Sequence, residues 1–415
     1  MRTDKLRRIL EYLLVICIII EFNTPYLVFP TVKRIIQICP ILILVALLII
    51  SKYSITKKVN ILLFAYWGGA LLPMLVLREH NYYSYILRYV IILPLLWMYL
   101  AQRKELGTIS YCSLFLRFSN VMVFIAVVSL IMWVLCSILQ IIPATAIFPY
   151  EWAPNIDFIP TYFGIYFETQ TSMTFGETIW RNSGIFNEGP MFNMALCTAF
   201  IIEYFIRPSK SKPRLWILAI TIFTTFTTTG QFFLIGIVMW MLYNKIGSKY
   251  RILLLLTIPF FLYIGYIAAG RLLENKLETG GDASMELRSD DITWCIEAGM
   301  EHPLLGVGLI LRDNESLWNG MKLGRSNSLF AVFARGGLYT LVLYIGALLV
   351  IPFLYYRKYK DPRWFYAMVC YFLIFTITIS FLKYLTFLFI AWGLSNIDLK
   401  RWPTGIKSMK TLKTK

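Results

Sequence analysis

A chain of 415 residues that is 58% hydrophobic, 16% aromatic and only 15% charged is not a soluble globular domain, which could not hide so much apolar surface. The formal net charge of +17 would suit nucleic acid if the basic residues formed one patch, but they are spread along the chain. The apolar residues instead fall in runs of about 17 or more, the length a helix needs to cross a bilayer.

Run length predicts twelve candidate spans, at roughly 9–22, 33–50, 59–77, 84–100, 114–142, 189–206, 213–229, 231–244, 251–270, 336–356, 364–380 and 384–397. The reading is an all-α polytopic protein, one integral membrane domain over 1–415. Placing "MRTDKLRR" in the cytoplasm and alternating sides puts 27 of the 40 Lys and Arg inside, with 6 of the 23 acidic residues. The inner face then nets +21 and the outer face −4, as the positive-inside rule requires. Topology therefore accounts for the basicity, both termini are expected to be cytoplasmic, and no nucleic-acid partner is called for. Anionic lipid head groups are the natural company of such an inner face.

Charges are nearly absent from the middle of the spans, with no Asp, Glu or His deep in the bilayer, which argues against an ion-coupled transporter. The seven cysteines, Cys17, Cys39, Cys112, Cys136, Cys197, Cys295 and Cys370, form no CxxC and read as small packing residues. The two histidines, His80 and His302, are too far apart for an HExxH site.

Two outer segments are too long to be mere turns, about 143–188 and about 271–335. The first carries Phe148, Tyr150, Trp152, Phe158, Tyr162, Phe163, Tyr166, Phe167 and Trp180. Such a set suits an aromatic belt at the membrane surface better than a sugar-stacking platform. It ends in "RNSGIFNEGPMF", with Arg181, Gly184 and Glu188 just before a span. In the second segment Gly280–Gly281 breaks the chain, and Asp282 is placed to cap a helix. Met285, Ile292, Cys295, Ile296 and Gly299 recur on one helical face, and the spacing puts Arg288 on it too. An arginine on an apolar face is costly unless it meets an anion or water. His302–Pro303 ends that helix, "LLGVG" makes a turn, and Arg271, Arg325, Asn327 and Arg335 complete the outer cluster. Arginine grips phosphate oxygens bidentately and keeps its charge, so the set suits a lipid-linked phosphate or diphosphate. The plainer alternative pairs Arg181 with Glu188 and Arg288 with Asp291. Asp290 and Asp291 are adjacent on a helix, point about 100° apart and would not clamp one metal ion.

Four stretches in order resemble bacterial O-antigen and capsule polysaccharide polymerases of the O-antigen ligase superfamily. "RNSGIFNEGPMF" resembles their R-x-x-G-x-x-x-E motif before a span. "ELRSDDITWCIEAGMEHPLLGVGL" is similar to their arginine helix and (H/N)-P-L-x-G-x-G turn. "TTFTTTGQFFLIG" resembles their Ser/Thr-Thr-Gly stretch, and "SNSLFAVFARGGLYTLVLYI" the segment that returns to the membrane. The resemblance implies a C-type glycosyltransferase fold and a cofactor-free, metal-independent enzyme at the outer face of the bacterial inner membrane. Its substrate would be oligosaccharide on undecaprenyl diphosphate, with a flippase and a chain-length regulator as partners. Arg181 and Arg288 match the family's diphosphate-binding arginines, Glu188 its acidic position and Asn327 its polar position. Either Glu188 or His302 would act as base, the alternatives being that Glu188 only orients Arg181 and His302 only caps a helix end; Arg271, Arg325 and Arg335 would add substrate contacts. O-antigen ligases carry a His-Asn pair where this chain has Ser326–Asn327, which favours polymerase over ligase. A lipid-oligosaccharide flippase is the alternative from another class.

Overall fold

The computed structural model describes residues 2–51, 57–77, 81–105, 111–151, 156–174, 177–245, 282–310, 317–318, 321–324 and 326–399. Among them the helices, in chain order, are α1 (Arg2–Glu21), α2 (Pro30–Ile50), α3 (Lys57–Val76), α4 (Tyr82–Lys104), α5 (Ser113–Ile138), α6 (Gly189–Ile206), α7 (Lys212–Thr224), α8 (Thr228–Lys245), α9 (Asp282–Glu301), α10 (Ser328–Tyr359), α11 (Arg363–Ile377) and α12 (Tyr384–Ser395). Six of the described helices, α2 to α6 and α10, are long and apolar enough to cross a membrane; apolar stretches in α8, α11 and α12 are shorter. These six coincide with six of the twelve expected spans. Another of the twelve, 251–270, lies outside the described residues.

Apolar character splits the helices into two kinds. α12 is buried along its whole length, and so is nearly all of α6. Both sequences are hydrophobic all round, as a helix enclosed by other helices must be. α2 and α3 instead point large side chains outward, with Leu42, Ile49, Ile61, Phe64 and Leu75 between 63% and 83% exposed. A surface that apolar is stable against lipid and not against water.

Hydrogen bonds between elements sort the connections into two ends of the bundle. At one end Gln102 donates to the Ser51 carbonyl, and Lys104 pairs with Asp398 at 2.7 Å. At the other, Asn182 binds the carbonyl of Thr224, Asn187 that of Asn23, and Lys383 that of Glu21. Both long segments lie at this second end, hereafter the loop end. Three carboxylates near the ends of expected spans are buried in helices. Glu11 accepts from Tyr99 at 2.6 Å and Ser113 at 2.7 Å and pairs with Arg117. Glu203 pairs with Arg207 at 2.7 Å and Arg214 at 2.8 Å. Glu21 faces Arg88 at 3.8 Å. The first two staple helices away from the loop end; the third sits at it.

The protein is mostly helical, as expected, and the loop end adds a few short strands. The first long segment forms an antiparallel sheet of β1 (Ala146–Pro149), β2 (Phe158–Tyr162) and β3 (Tyr166–Phe167), with Ala146 opposite Thr161 and Thr161 opposite Phe167. A hairpin of β4 (Thr171–Thr174) and β5 (Glu177–Trp180) follows, and β6 (Leu317–Trp318) pairs with β7 (Met321–Lys322) in the second segment. The aromatic residues explain the sheet. Tyr150, Ile159 and Phe167 bury one face with Tyr26 and Phe148, while Tyr162 and Tyr166 pack on Met132 and Cys136 of α5. Glu168 fixes that contact by accepting from Ser137 at 2.7 Å and Tyr162 at 2.9 Å. Only part of the aromatic set, such as Phe158 and Phe163 at 64% exposed each, is free to form a belt. All seven cysteines are unbridged and five are buried, in keeping with packing roles.

Candidate functional site

The site is built around the segment from Arg181 to Glu188. Arg181 continues the hairpin edge by donating its N–H to the Gln170 carbonyl at 2.9 Å. Asn182 is buried and reaches across to α7, donating its N–H to the Thr224 carbonyl and its amide to Thr224 Oγ1, both at 3.1 Å. Gly184 has φ +55, and a Cβ there would stand 3.0 Å from the Phe192 ring, so only glycine turns the chain so tightly against α6. Glu188 then caps α6 in extended conformation.

The Thr-Thr-Gly stretch joins α7 to α8 through a turn with Phe226 at φ +47. α7 has 13 residues, about 20 Å of helix, short of the ~30 Å hydrocarbon core. Its turn packs onto the start of α6: a Cβ on Gly189 would lie 3.1 Å from the Thr225 carbonyl and 3.5 Å from Arg181 Cδ. Likewise a Cβ on Gly230 would lie 2.4 Å from Asn193 Oδ1. The Arg181 stem is thus laid over Gly189, beside the threonine turn.

Arg181 is half-buried, and its Nε makes no hydrogen bond among the described residues. Burial lowers its pKa, Glu188 opposes that shift and Arg288 adds to it. Arg181 thus feels one charge of each sign, and Arg288 does so from the other long segment. Two guanidinium groups that feel each other, one of them short of an acceptor, make a place for an anion.

The second segment departs from expectation in one respect. On α9 the buried residues are Asp291, Cys295, Ala298 and Gly299, whereas Ile296 is 40% exposed and Arg288 is exposed. Arg288 is therefore not sunk in an apolar face; it stands exposed on the helix, and its charge is felt at Arg181. The plainer pairing of Arg288 with Asp291 also gives way to another arrangement. Asp291 accepts from Gly324 N at 2.7 Å, Ser326 N at 2.9 Å, Ser326 Oγ at 2.6 Å and Asn327 Nδ2 at 3.2 Å. This carboxylate ties α9 to the start of α10. Asn327 is the buried N-cap of α10, accepting from Phe330 N at 2.9 Å. Its amide is used within the protein, and so is Arg335, which donates to the Leu323 carbonyl at 2.6 Å and lies 5.3 Å over the Phe381 ring. His302 stands exposed at the end of α9. Arg271 and Arg325 lie outside the described residues.

The glycine-rich turn after His302 has a mechanical explanation. α10 breaks at Gly337, φ +59 and ψ −168. The chain from Pro303 to Gly308 lies along the break. Val307 and Gly308 donate to the carbonyls of Ala334 and Arg335, and Leu338 and Tyr339 donate to those of Pro303 and Leu304. These four bonds re-pair backbone groups that the break frees, as a break inside an apolar bundle demands.

Sequence reasoning missed a polar cavity of about 300 Å³ at the loop end. It lies between the end of α1, the start of α2, β1 and the start of α12, and Glu21, Arg88, Asn187, Lys383 and Tyr384 are among its lining. Asn187 joins it to the arginine site, because Glu188 is the next residue and Tyr150, whose hydroxyl donates to the Asn187 carbonyl, feels the Glu188 charge. The available signal was Arg88 just inside the outer end of the fourth predicted span, an ionisable group in an otherwise apolar run. No family model, curated protein or solved structure matches the chain.

Proposed function

We propose that this chain is a polysaccharide polymerase of the bacterial inner membrane. It would transfer an oligosaccharide from undecaprenyl diphosphate onto another lipid-linked repeat unit at the outer face, with both termini in the cytoplasm. One observation supports the reading: Arg181 lies with its stem over Gly189 and its Nε without a hydrogen bond among the described residues, and its guanidinium feels the charges of both Glu188 and Arg288, the latter from the other long segment. An acceptor hydroxyl attacks the anomeric carbon of the donor sugar, and the bond from that carbon to the diphosphate oxygen breaks. The electron pair leaves with the diphosphate, whose charge the two arginines take up. Glu188 receives the hydroxyl proton, and His302, exposed at the end of α9, is the alternative base. Because the arginines meet the leaving charge, the mechanism calls for no divalent ion.

A ligase would use the same chemistry, and nothing in the arrangement favours it over chain extension. A flippase would want charges along a central path, but Glu11 and Glu203 are locked in ion pairs away from the loop end. The test gives purified protein a lipid-diphosphate oligosaccharide in excess chelator. The expected product is a ladder of longer carrier-linked chains, lost in Glu188→Gln. Extension that stops with chelator and returns with magnesium would sink the arginine mechanism, and transfer off the carrier would make it a ligase.

A further inference from the structure

The cavity beside the arginine site differs from it in charge. Its lining holds three cations, Lys33, Arg88 and Lys383, and two carboxylates, Glu21 and Glu151. The balance is one positive charge. Around these stand the amides of Asn23, Gln37 and Asn187 and the phenols of Tyr150 and Tyr384. Its size is at the small end of ligand pockets, which run from about 300 to 1,000 Å³.

Half-buried Lys383 donates to the Glu21 carbonyl at 3.2 Å and to Asn23 Oδ1, and the backbone N–H of Tyr384 donates to Glu21 at 3.0 Å. The floor is therefore held in place. Arg88 is looser: its guanidinium stands 3.8 Å from Glu21, its side chain is 19% exposed, and its Nε makes no hydrogen bond among the described residues. Asn187 Oδ1 and Tyr384 Oη also lack partners. Buried polar groups without partners are costly, about 1–3 kcal/mol each, so groups of both donor and acceptor kind here point to a ligand of mixed character.

We propose that this cavity is the subsite for an acidic sugar of the acceptor glycan, a residue with one carboxylate and several hydroxyls. Arg88 grips the carboxylate, with Lys383 beneath it. Hydroxyls, which both donate and accept, meet Glu21, Asn187 and Tyr384. A diphosphate is a poorer fit, because it brings more than one negative charge to a lining that includes two carboxylates. Through Asn187 the bound sugar would be next to Glu188, where an acceptor hydroxyl must lose its proton. The link to acceptor chemistry rests on the polymerase reading; the binding itself does not.

The experiment is titration calorimetry on the full chain in nanodiscs of zwitterionic lipid. The probes are an oligosaccharide of hexuronic acid, a neutral oligosaccharide of equal length, and inorganic diphosphate. The acidic oligosaccharide is expected to bind at least tenfold more tightly than the neutral one. Arg88→Gln should erase that preference, and Lys33→Gln, at the exposed mouth, should reduce it severalfold without disturbing the fold. Arg288→Ala should leave this binding unchanged while stopping polymer, which separates failure of the subsite from failure of the polymerase reading. Equal binding of neutral and acidic probes would overturn the proposal. So would diphosphate binding that Arg88→Gln abolishes, because the cavity would then be a phosphate site, or a preference unmoved in both glutamine variants.

Discussion

The segments that contribute Arg181 and Arg288 hold their arginines in opposite ways. Arg181 is half-buried, with its stem against Gly189 and the threonine turn. Arg288 is exposed, and what is buried on its helix is Asp291, one turn further on. The first segment fixes a charge by enclosing it. The second fixes a helix by enclosing a carboxylate and lets the arginine extend from it. Enclosure limits rotamers and desolvates the cation, which strengthens its grip on an anion. A helix anchored through Asp291 can bring its arginine up to a substrate without that cost being present beforehand.

The sharpest way to break this contrast is to change the arginines. Arg181→Ala is expected to abolish polymer at normal protein abundance, measured as the carrier-linked ladder. Arg181→Lys should rescue it poorly, because lysine lacks the bidentate fork and Gly189 leaves room for one stem geometry. Arg288→Lys should retain more activity than Arg181→Lys, since an exposed side chain can adjust. Equal loss in the two lysine variants would remove the distinction between an enclosed and a projecting arginine.

Asp291→Ala should act through stability. It leaves two backbone N–H groups, the Ser326 hydroxyl and the Asn327 amide without their acceptor, at about 1–3 kcal/mol for each that stays buried and unpaired. The expected outcome is a marked fall in the thermal midpoint in detergent and reduced abundance. A stable but inactive Asp291→Ala protein would instead make this carboxylate part of the chemistry.

Gly337→Ala is expected to cost less. The methyl would stand 2.4 Å from the Leu304 carbonyl carbon and force a backbone conformation worth about 1–3 kcal/mol of strain. Gly346→Ala is the control, because nothing lies within 4 Å of a Cβ there. A lower thermal midpoint is expected in the first and not in the second. Equal midpoints would mean that the pairing of the His302 turn with the broken helix contributes little.

The smallest effect is expected from His302→Ala. This side chain is exposed at a helix end, so stability and ladder length should stay within about twofold of the parent. Loss of the ladder at unchanged stability would move the base role from Glu188 to His302.

Much of the site was legible because its chemistry is written in residue types that are scarce elsewhere in this chain. An arginine and a glutamate before a span, and glycines at 184, 306 and 308, stand out in an apolar sequence, and each glycine proves to have positive φ. The orientation of Arg288 was not legible. Period alone puts it with Ile292 and Ile296, but the partner of α9 is the start of α10, and that packing selects the Asp291–Cys295–Ala298 face. The cavity was missed for a similar reason. Glu21, Arg88 and Lys383 come from three distant places, and each alone reads as a charge at a span end.

The sequence by itself therefore determined that the chain belongs in a bilayer and which end of it gathers the unusual charges. Both follow from counting: long apolar runs cannot be dissolved in water, and uncompensated charges cannot be dissolved in lipid. The tertiary structure alone decided which charges meet. Whether Asp291 faces Arg288 or the backbone just before α10, and whether Glu21 faces lipid or Arg88, depends on which helices are neighbours. That choice is made by side-chain packing between segments far apart in the chain, and no local pattern in the sequence encodes it.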